Sequence, residues 1–421
     1  MMYESEIVVC MYSPNENAVD TGIGTGYEYV QYHQDFSNVE DKKSVAVKRI
    51  KRTETPVEEK KFRTPEEIEF ISYIYRGMRG LVHKYLGTYL YKEDRQDLLK
   101  RFMLPKDVAA LKKADLWEEH LKIIYKKKTK LKPNQLELLK KREKAENKIE
   151  KADFFSVPSR TKIVTYTEKD TKGNIVKKYD CKLQTAILKE LYVLVAKYLK
   201  TKNNNQEVSE TEVETELLKV PGFVVKENKG GSQFITFKNY KLEGYFVPYI
   251  NFDKKIKAMQ IRLTTPFLDA KGKPMRYFWY SSEQASSGSP IDYYMPEGEL
   301  DRYDVLLVTE GASKMKVACE YLKFQGMGEA GVGNYRKLVA SILEYEKHMG
   351  VQFKIIIALD MDKNTIQNKD GRYPVLEAEN ETVALLKSTG HQVAIAEWDI
   401  EKGKGIDDAL INEAKLRYKL I

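Results

Sequence analysis

Two short runs in the last third of the chain are apolar without interruption, Val305 to Val308 and Ile355 to Leu359. Runs of this length, bounded by polar turns, predict strands of a parallel sheet covered on both faces. The first ends on Glu310-Gly311 and passes into a helix with Met315, Ala318, Cys319 and Leu322 at helical spacing. The second ends on Asp360-Met361-Asp362. Helices over Lys337–Lys347 and Glu377–Ser388, a strand over Gln392–Ala396 and a last helix from Asp407 to Ile411 complete an alternating α/β pattern. Gly326-Met327-Gly328 and Gly331-Val332-Gly333-Asn334 read as strand-end turns.

Upstream the pattern changes. Thr64-Pro65-Glu66-Glu67 is a helix start, with Pro and acids in the first turn, and helical spacing continues from Ile68 to Tyr89. Lys92–Phe102 and Lys106–Leu121 read as shorter helices, and Pro133 begins a long charged one reaching Lys151. That helix is either a solvated face or hairpin, or a ridge that tracks phosphates. Ile163–Tyr166 and Ile175–Tyr179 flank a turn and predict a hairpin. Thr185–Leu199 and Glu210–Lys219 predict helices. From Pro221 the chain turns β-rich, with strands expected at Phe223–Val225, Gln233–Phe237, Glu243–Ile250, Ile256–Leu263 and Arg276–Tyr280. In the first 65 residues only Tyr27–Tyr32 and Ser44–Ile50 suggest strands. The expected organisation is residues 1–65 as an extension or small β unit, 66–219 mainly helical, 220–300 an α+β subdomain, and 301–421 the α/β domain.

Glu310, Asp360 and Asp362 would then gather at the carboxyl ends of parallel strands, where open α/β sheets bind ligands. Clustered carboxylates repel one another unless a cation joins them, and Mg²⁺ is commonly held by one or two carboxylates together with substrate phosphates. Asp360 and Asp362 alternate and can share a face. The competing reading is that turns favour Asp, and that Asp407 caps a helix. Arg262, Lys271, Lys273 and Arg276 lie close to Tyr277, Phe278, Trp279 and Tyr280. Cations beside aromatics suit single-stranded nucleic acid, or the aromatics are half-buried strand residues. Ser281–Pro290, with Ser286, Ser287 and Gly288, is a loop able to offer backbone N–H groups and hydroxyls to a phosphate, or a linker.

The net charge of the 421-residue chain is +9, which favours an anionic partner. No run approaches the ~20 apolar residues of a membrane span, and the first residues lack the pattern of a signal peptide. Cys10, Cys181 and Cys319 are too far apart to form a zinc motif or a disulfide framework, so a reducing cytoplasm is expected. No G-x-x-x-x-G-K-[ST] helicase loop occurs.

Glu310-Gly311 after one strand and Asp360-Met361-Asp362 after another resemble the Toprim domain of DnaG-type primases, topoisomerases and OLD-type nucleases. Gly331-Val332-Gly333-Asn334, Trp398-Asp399 and Gly403-Lys404-Gly405-Ile406-Asp407-Asp408 narrow the resemblance to the primase-like proteins of plasmids, phages and integrative elements designated DUF3854. Ser286 to Pro290, Gln260 to Leu263 and Val220 to Phe223 extend it upstream. The resemblance implies a multidomain α/β protein with a Rossmann-like Toprim domain after an α+β subdomain and a helical region. It implies an Mg²⁺- or Mn²⁺-dependent nucleotidyltransferase that makes primers on single-stranded DNA from nucleoside triphosphates, beside a separate helicase. A nuclease, or an idle DNA-binding replication or defence protein, remains an alternative. Glu310 would be a metal ligand or general base, Asp360 and Asp362 the principal metal ligands, and Asp407 and Asp408 ligands of a second metal. Arg262, Lys273, Arg276, Ser286, Ser287, Gly288, Lys314 and Asn334 would contact nucleotide or DNA. The chain departs from the DnaG pattern in three places: Lys314 stands where an Asp is usual, Gly405 stands where the later motif has its first Asp, and the helix after Asp362 lacks the customary Gly and Arg.

Overall fold

The computed structural model describes residues 63–421 except 128–130, 160, 171–172, 229, 239–241, 269–271, 273, 297 and 366–370, together with three strands within the first 62 residues. Met1–Thr64 and Pro65–Ile421 are two compact units. In the first, the strands Ile7–Cys10, Ala18–Asp20 and Tyr27–Val30 form an antiparallel sheet with Tyr27–Val30 in the middle. The strand expected at Ser44–Ile50 lies outside the described residues.

The second unit is mixed α/β and is built around two sheets. The C-terminal sheet runs in the order Asp292–Tyr294, Gln325–Glu329, Val305–Glu310, Lys354–Ala358, Val393–Glu397, Arg417–Leu420. The four inner strands are parallel and the two outer ones antiparallel to their neighbours. Alternation along the strand distributes the apolar run between two cores. Leu307 joins Ala312, Met315, Ala318 and Cys319 of the helix Ala312–Leu322 on one face. Leu306 and Val308 join Leu338, Val339 and Ile342 of Tyr335–Met349, and Leu386 of Pro374–Ser388, on the other. This is why the strand reads as continuously apolar.

Gly326-Met327-Gly328 is mid-strand, not a turn. A Cβ at Gly326 would lie 2.5 Å from Cys319 Sγ and 3.0 Å from Leu307 O, and one at Gly328 3.2 Å from Ala312 Cα. The glycines let the helix Ala312–Leu322 lie close over the sheet. The edge strands Asp292–Tyr294 and Arg417–Leu420 carried no recognisable sequence signal.

The upstream sheet is antiparallel, in the order Pro274–Trp279, Ile256–Leu268, Gly244–Ile250, Phe155–Ser156. Gly244–Ile250 is buried along its whole length because it sits between cores. Phe246 and Ile250 pack with the helices Pro65–Leu86 and Leu183–Lys202, while Tyr245, Val247 and Tyr249 pack with the core that holds Ala312–Leu322 and Trp398. The hairpin Ile163–Lys169/Ile175–Lys182 forms as expected.

The helix expected over Lys106–Leu121 instead spans Pro105–Lys113 and stops. Asp115 adopts a left-handed φ of 54° and Leu116 N donates back to Leu111 O at 2.9 Å, a helix-ending turn. A separate helix, Leu121–Lys127, follows. The long charged helix, Pro133–Lys151, has a packed face of Leu139, Arg142, Ala145 and Ile149. Arg142 is fully buried and donates to the carbonyls of Leu116, Trp117 and Glu119, which fixes the chain reversal before Leu121.

Candidate active site

The carboxyl ends of the inner strands place the acidic residues together. Glu310 closes its strand in register with Glu329 of the neighbouring strand, and in-register neighbours of a parallel pair share a face. Asp360 and Asp362 follow Lys354–Ala358 in the short 3₁₀ turn that begins at Met361. Asp407 and Asp408 lie in the first turn of Ile406–Ile411. The loop before that helix is fixed at two points: Lys404 O accepts from Met361 N at 2.9 Å, and Gly403 O accepts from the indole Nε1 of the buried Trp398 at 2.8 Å.

Three cations enter this group. Lys314, one turn after Glu310, donates to Asp360 Oδ1. Lys404 reaches Asp360 Oδ2 at 3.2 Å and Asp362 Oδ2 at 2.7 Å. Arg101, from the helix Lys92–Phe102, pairs with Asp407 Oδ2 at 2.8 Å. Gly405 completes the packing. A Cβ there would lie 2.7 Å from Asp407 Oδ1, 3.2 Å from Lys314 Cδ and 3.3 Å from Lys314 Cε. Gly405 and Lys314 are therefore packed against each other, and a side chain at 405 would press on Asp407 first and on the stem of Lys314 next.

The electrostatics follow from burial. Burial raises the Glu310 carboxyl above its ordinary value; Lys314 and Lys404 pull it down, while Asp360 and Asp362 push it up. Among the described residues no cation offsets the burial of Glu329, which is pushed up to about 8, with Glu310 adding to the shift. Burial raises Asp408, and Asp407 reinforces it. For Lys314 burial acts downward, but Asp360, Glu310 and Asp407 together outweigh it and hold the ammonium above the usual lysine range.

Among the described residues of this group, Asp362 Oδ1, Asp407 Oδ1 and Glu329 Oε2 are buried carboxyl oxygens with no hydrogen-bond partner. Buried unpaired acceptors are costly, and those of Asp362 and Asp407 fit a cation. Among the described residues no three of His, Cys, Asp and Glu converge closely enough to enclose a metal by themselves. A pair of carboxylates supplemented by water and phosphate oxygens is the ordinary Mg²⁺ arrangement, and Asp360 with Asp362 meets that need.

The residues expected to contact DNA or nucleotide fall in different places. Arg262 is buried. It bonds Asp97 from Nε (3.0 Å) and Nη2 (3.4 Å) and the Tyr277 hydroxyl from Nη1 (2.9 Å), so it braces the sheet against the helix Lys92–Phe102. Arg276 and Tyr277 are exposed on the edge strand Pro274–Trp279, and Lys273 lies outside the described residues. Phe278 stacks on Phe267 and Tyr280 is buried, so part of the aromatic run is structural. In the serine loop the Ser287 hydroxyl is buried and donates to Tyr280 O at 3.0 Å. Ser286 Oγ accepts from the Gly288 N–H at 3.2 Å, and Gly288 has φ +69° with open space around it. Lys337 Nζ donates to Gly288 O at 3.2 Å, which links this loop to the amino end of Tyr335–Met349, where Asn334 sits.

Sequence reasoning missed Arg101, Lys404 and Glu329. Lys404 lay within a quoted motif, and Glu329 was hidden by reading the preceding glycines as a turn. Arg101 stands 306 positions from its partner in a helix with no distinguishing pattern.

Residues 305–416 match the family described as Domain of unknown function (DUF3854). The resemblance read from the sequence holds for that segment, which contains every member of the acidic cluster. No curated protein matches the chain. Among solved structures the chain is similar to the primase fragment of the bacteriophage T7 primase-helicase protein, at 17% identity over 48% of this chain and 66% of that one, TM-score 0.27. It is similar to the Aquifex aeolicus primase zinc-binding and RNA polymerase domains, at 10% identity over 85% and 64%, TM-score 0.37. A DnaG primase catalytic domain bound to ssDNA gives 13% identity over 82% and 79%, TM-score 0.35. The chain thus spans just under two thirds of the first two. No helix among the described residues is long and apolar enough to cross a membrane.

Proposed function

We propose that the chain is a primase-like, Mg²⁺- or Mn²⁺-dependent nucleotidyltransferase of the Toprim type, making primers on single-stranded DNA during replication of a plasmid, phage or other mobile element. The observation that carries the reading is the cluster of Glu310, Asp360 and Asp362 at the strand ends with Asp407 and Asp408 at the start of the helix Ile406–Ile411, and the buried, unpartnered oxygens on Asp362 and Asp407. Asp360 and Asp362 would hold a divalent cation, which supplies charge stabilisation to phosphoryl oxygens when bound. Asp407 and Asp408 extend the acidic surface toward the incoming nucleotide. Glu310, whose burial keeps its proton affinity above the ordinary value, accepts the proton of the attacking 3′-hydroxyl. Exposed Arg276 and Tyr277 offer a phosphate contact and a stacking face to the template. The serine loop offers the Gly288 backbone to triphosphate oxygens, at a position where a Cβ is disfavoured.

Labelled nucleoside triphosphates, a single-stranded template and Mg²⁺ or Mn²⁺ test this directly. Incorporation is expected, and it falls at least 100-fold on Glu310→Gln, in the range a lost general base produces (about 10²–10⁴). Template cleavage without incorporation would move the protein to the nuclease class, since the same acids serve either displacement at phosphorus. DNA binding with neither activity would leave it a binding protein.

A further inference from the structure

We propose that the Lys314 ammonium is a resident cation of the acidic cluster, so that the site takes a single exchangeable divalent cation, on Asp360 and Asp362, once Lys404 has moved off them. This deepens the function proposed above and rests on its metal-binding part.

The two lysines are built differently. Lys314 leaves the first turn of Ala312–Leu322, keeps only 27% of its side chain exposed, and faces three carboxylates, Asp360, Glu310 and Asp407. Its stem lies against Gly405, and the absence of a side chain there is what gives it room. A cation so enclosed and so surrounded by opposite charge has nowhere better to go. Its charge also opposes a divalent ion placed between the same three acids, because like charges in a partly desolvated pocket repel strongly. Lys404 is 55% exposed and holds Asp360 and Asp362 only by its tip. Half-exposed lysine pairs are weak and readily exchanged. Its backbone is anchored through Met361 N, so the side chain can leave without disturbing the loop. The place Lys404 vacates adjoins Asp362, which has a buried oxygen without a partner. Lys404 thus shields the aspartates until a divalent cation displaces it, and the freed ammonium is then available to a phosphate.

Mn²⁺ titration of the full chain without nucleotide, followed by electron paramagnetic resonance of the free ion, tests the assignment. The wild type is expected to bind one Mn²⁺. Lys404→Gln is expected to bind one as well, about three- to tenfold more tightly, and Lys314→Met to bind two. Two Mn²⁺ per wild-type chain, none, or weaker binding in Lys404→Gln would overturn the inference, as would a folded Lys314→Met variant that still binds one. Should Lys314→Met fail to fold, wild-type stoichiometry and Lys404→Gln affinity still decide it. Two Mn²⁺ together with nucleotide incorporation would sink this inference and leave the proposed activity standing. One Mn²⁺ with no incorporation on any template would do the reverse.

Discussion

A carboxyl group shut away from water keeps its proton unless a positive charge compensates it, and Glu329 and Glu310 show both cases side by side. They are register partners on adjacent strands, yet among the described residues lysines act on Glu310 and not on Glu329. Glu329 titrates at about 8 in the folded chain against an ordinary 4.5. Because the folded value is the higher one, its contribution to stability is complete below pH 4.5 and is lost as pH rises toward 8. Replacing it with a permanently neutral isostere removes that loss. Glu329→Gln should match the wild type near pH 4.5 and exceed it by a few kcal/mol at pH 8.5, measured by urea denaturation in a chelator. An equal difference at both pH values would show that Glu329 is not protonated in the folded state. Single residues were unevenly legible in the sequence. Glu310, Asp360 and Asp362 could be read because strand ends in a parallel sheet converge, whereas the burial of Arg262 depends on Asp97 of a distant helix, which no local pattern reveals.

The inner strands and their helices were legible because burial on both faces leaves an unbroken apolar run and burial on one leaves helical periodicity. The strand Gln325–Glu329 was not, since close helix contact had replaced its side chains with glycines at the positions that would have marked it. This makes a prediction for the element. Gly326→Val must push the helix Ala312–Leu322, and Lys314 with it, away from the sheet, because its Cβ alone would meet Cys319 Sγ at 2.5 Å. Overpacking of this kind costs about 1–3 kcal/mol or more. Thermal denaturation should show the loss. Titration of the folded variant should show weakened divalent binding, whereas unchanged metal affinity would mean the helix does not set the position of the site.

Across the whole molecule, the upstream sheet and the C-terminal sheet are held by a buried polar joint. Lys316, with no exposed side-chain surface, bonds Asp292 and donates to Pro248 O at 2.7 Å, and Asp292 accepts from Ile250 N at 2.7 Å. Lys316→Met leaves a buried carboxylate without its partner and should cost about 3–5 kcal/mol. The double variant Lys316→Met, Asp292→Asn should recover much of that loss. Denaturant midpoints of the three variants check this, and a double variant no more stable than the single would show that the pair is not the joint. The joint was invisible in the sequence, because Lys316 lies on an apolar helix face and Asp292 in a strand that no pattern announced. A second long-range tie, Arg101 to Asp407, has a consequence for how the chain reaches this state. Its partners are separated by 306 positions, and closing so long a loop loses more chain entropy than closing a local one. Contacts of high sequence separation form late and slowly. While the polypeptide is being made, the helix Lys92–Phe102 must wait until the chain 306 positions further on has been synthesised before Arg101 meets its counter-charge, so the acidic centre is assembled late in folding, and a nascent chain stalled before Asp407 holds a scaffold without it.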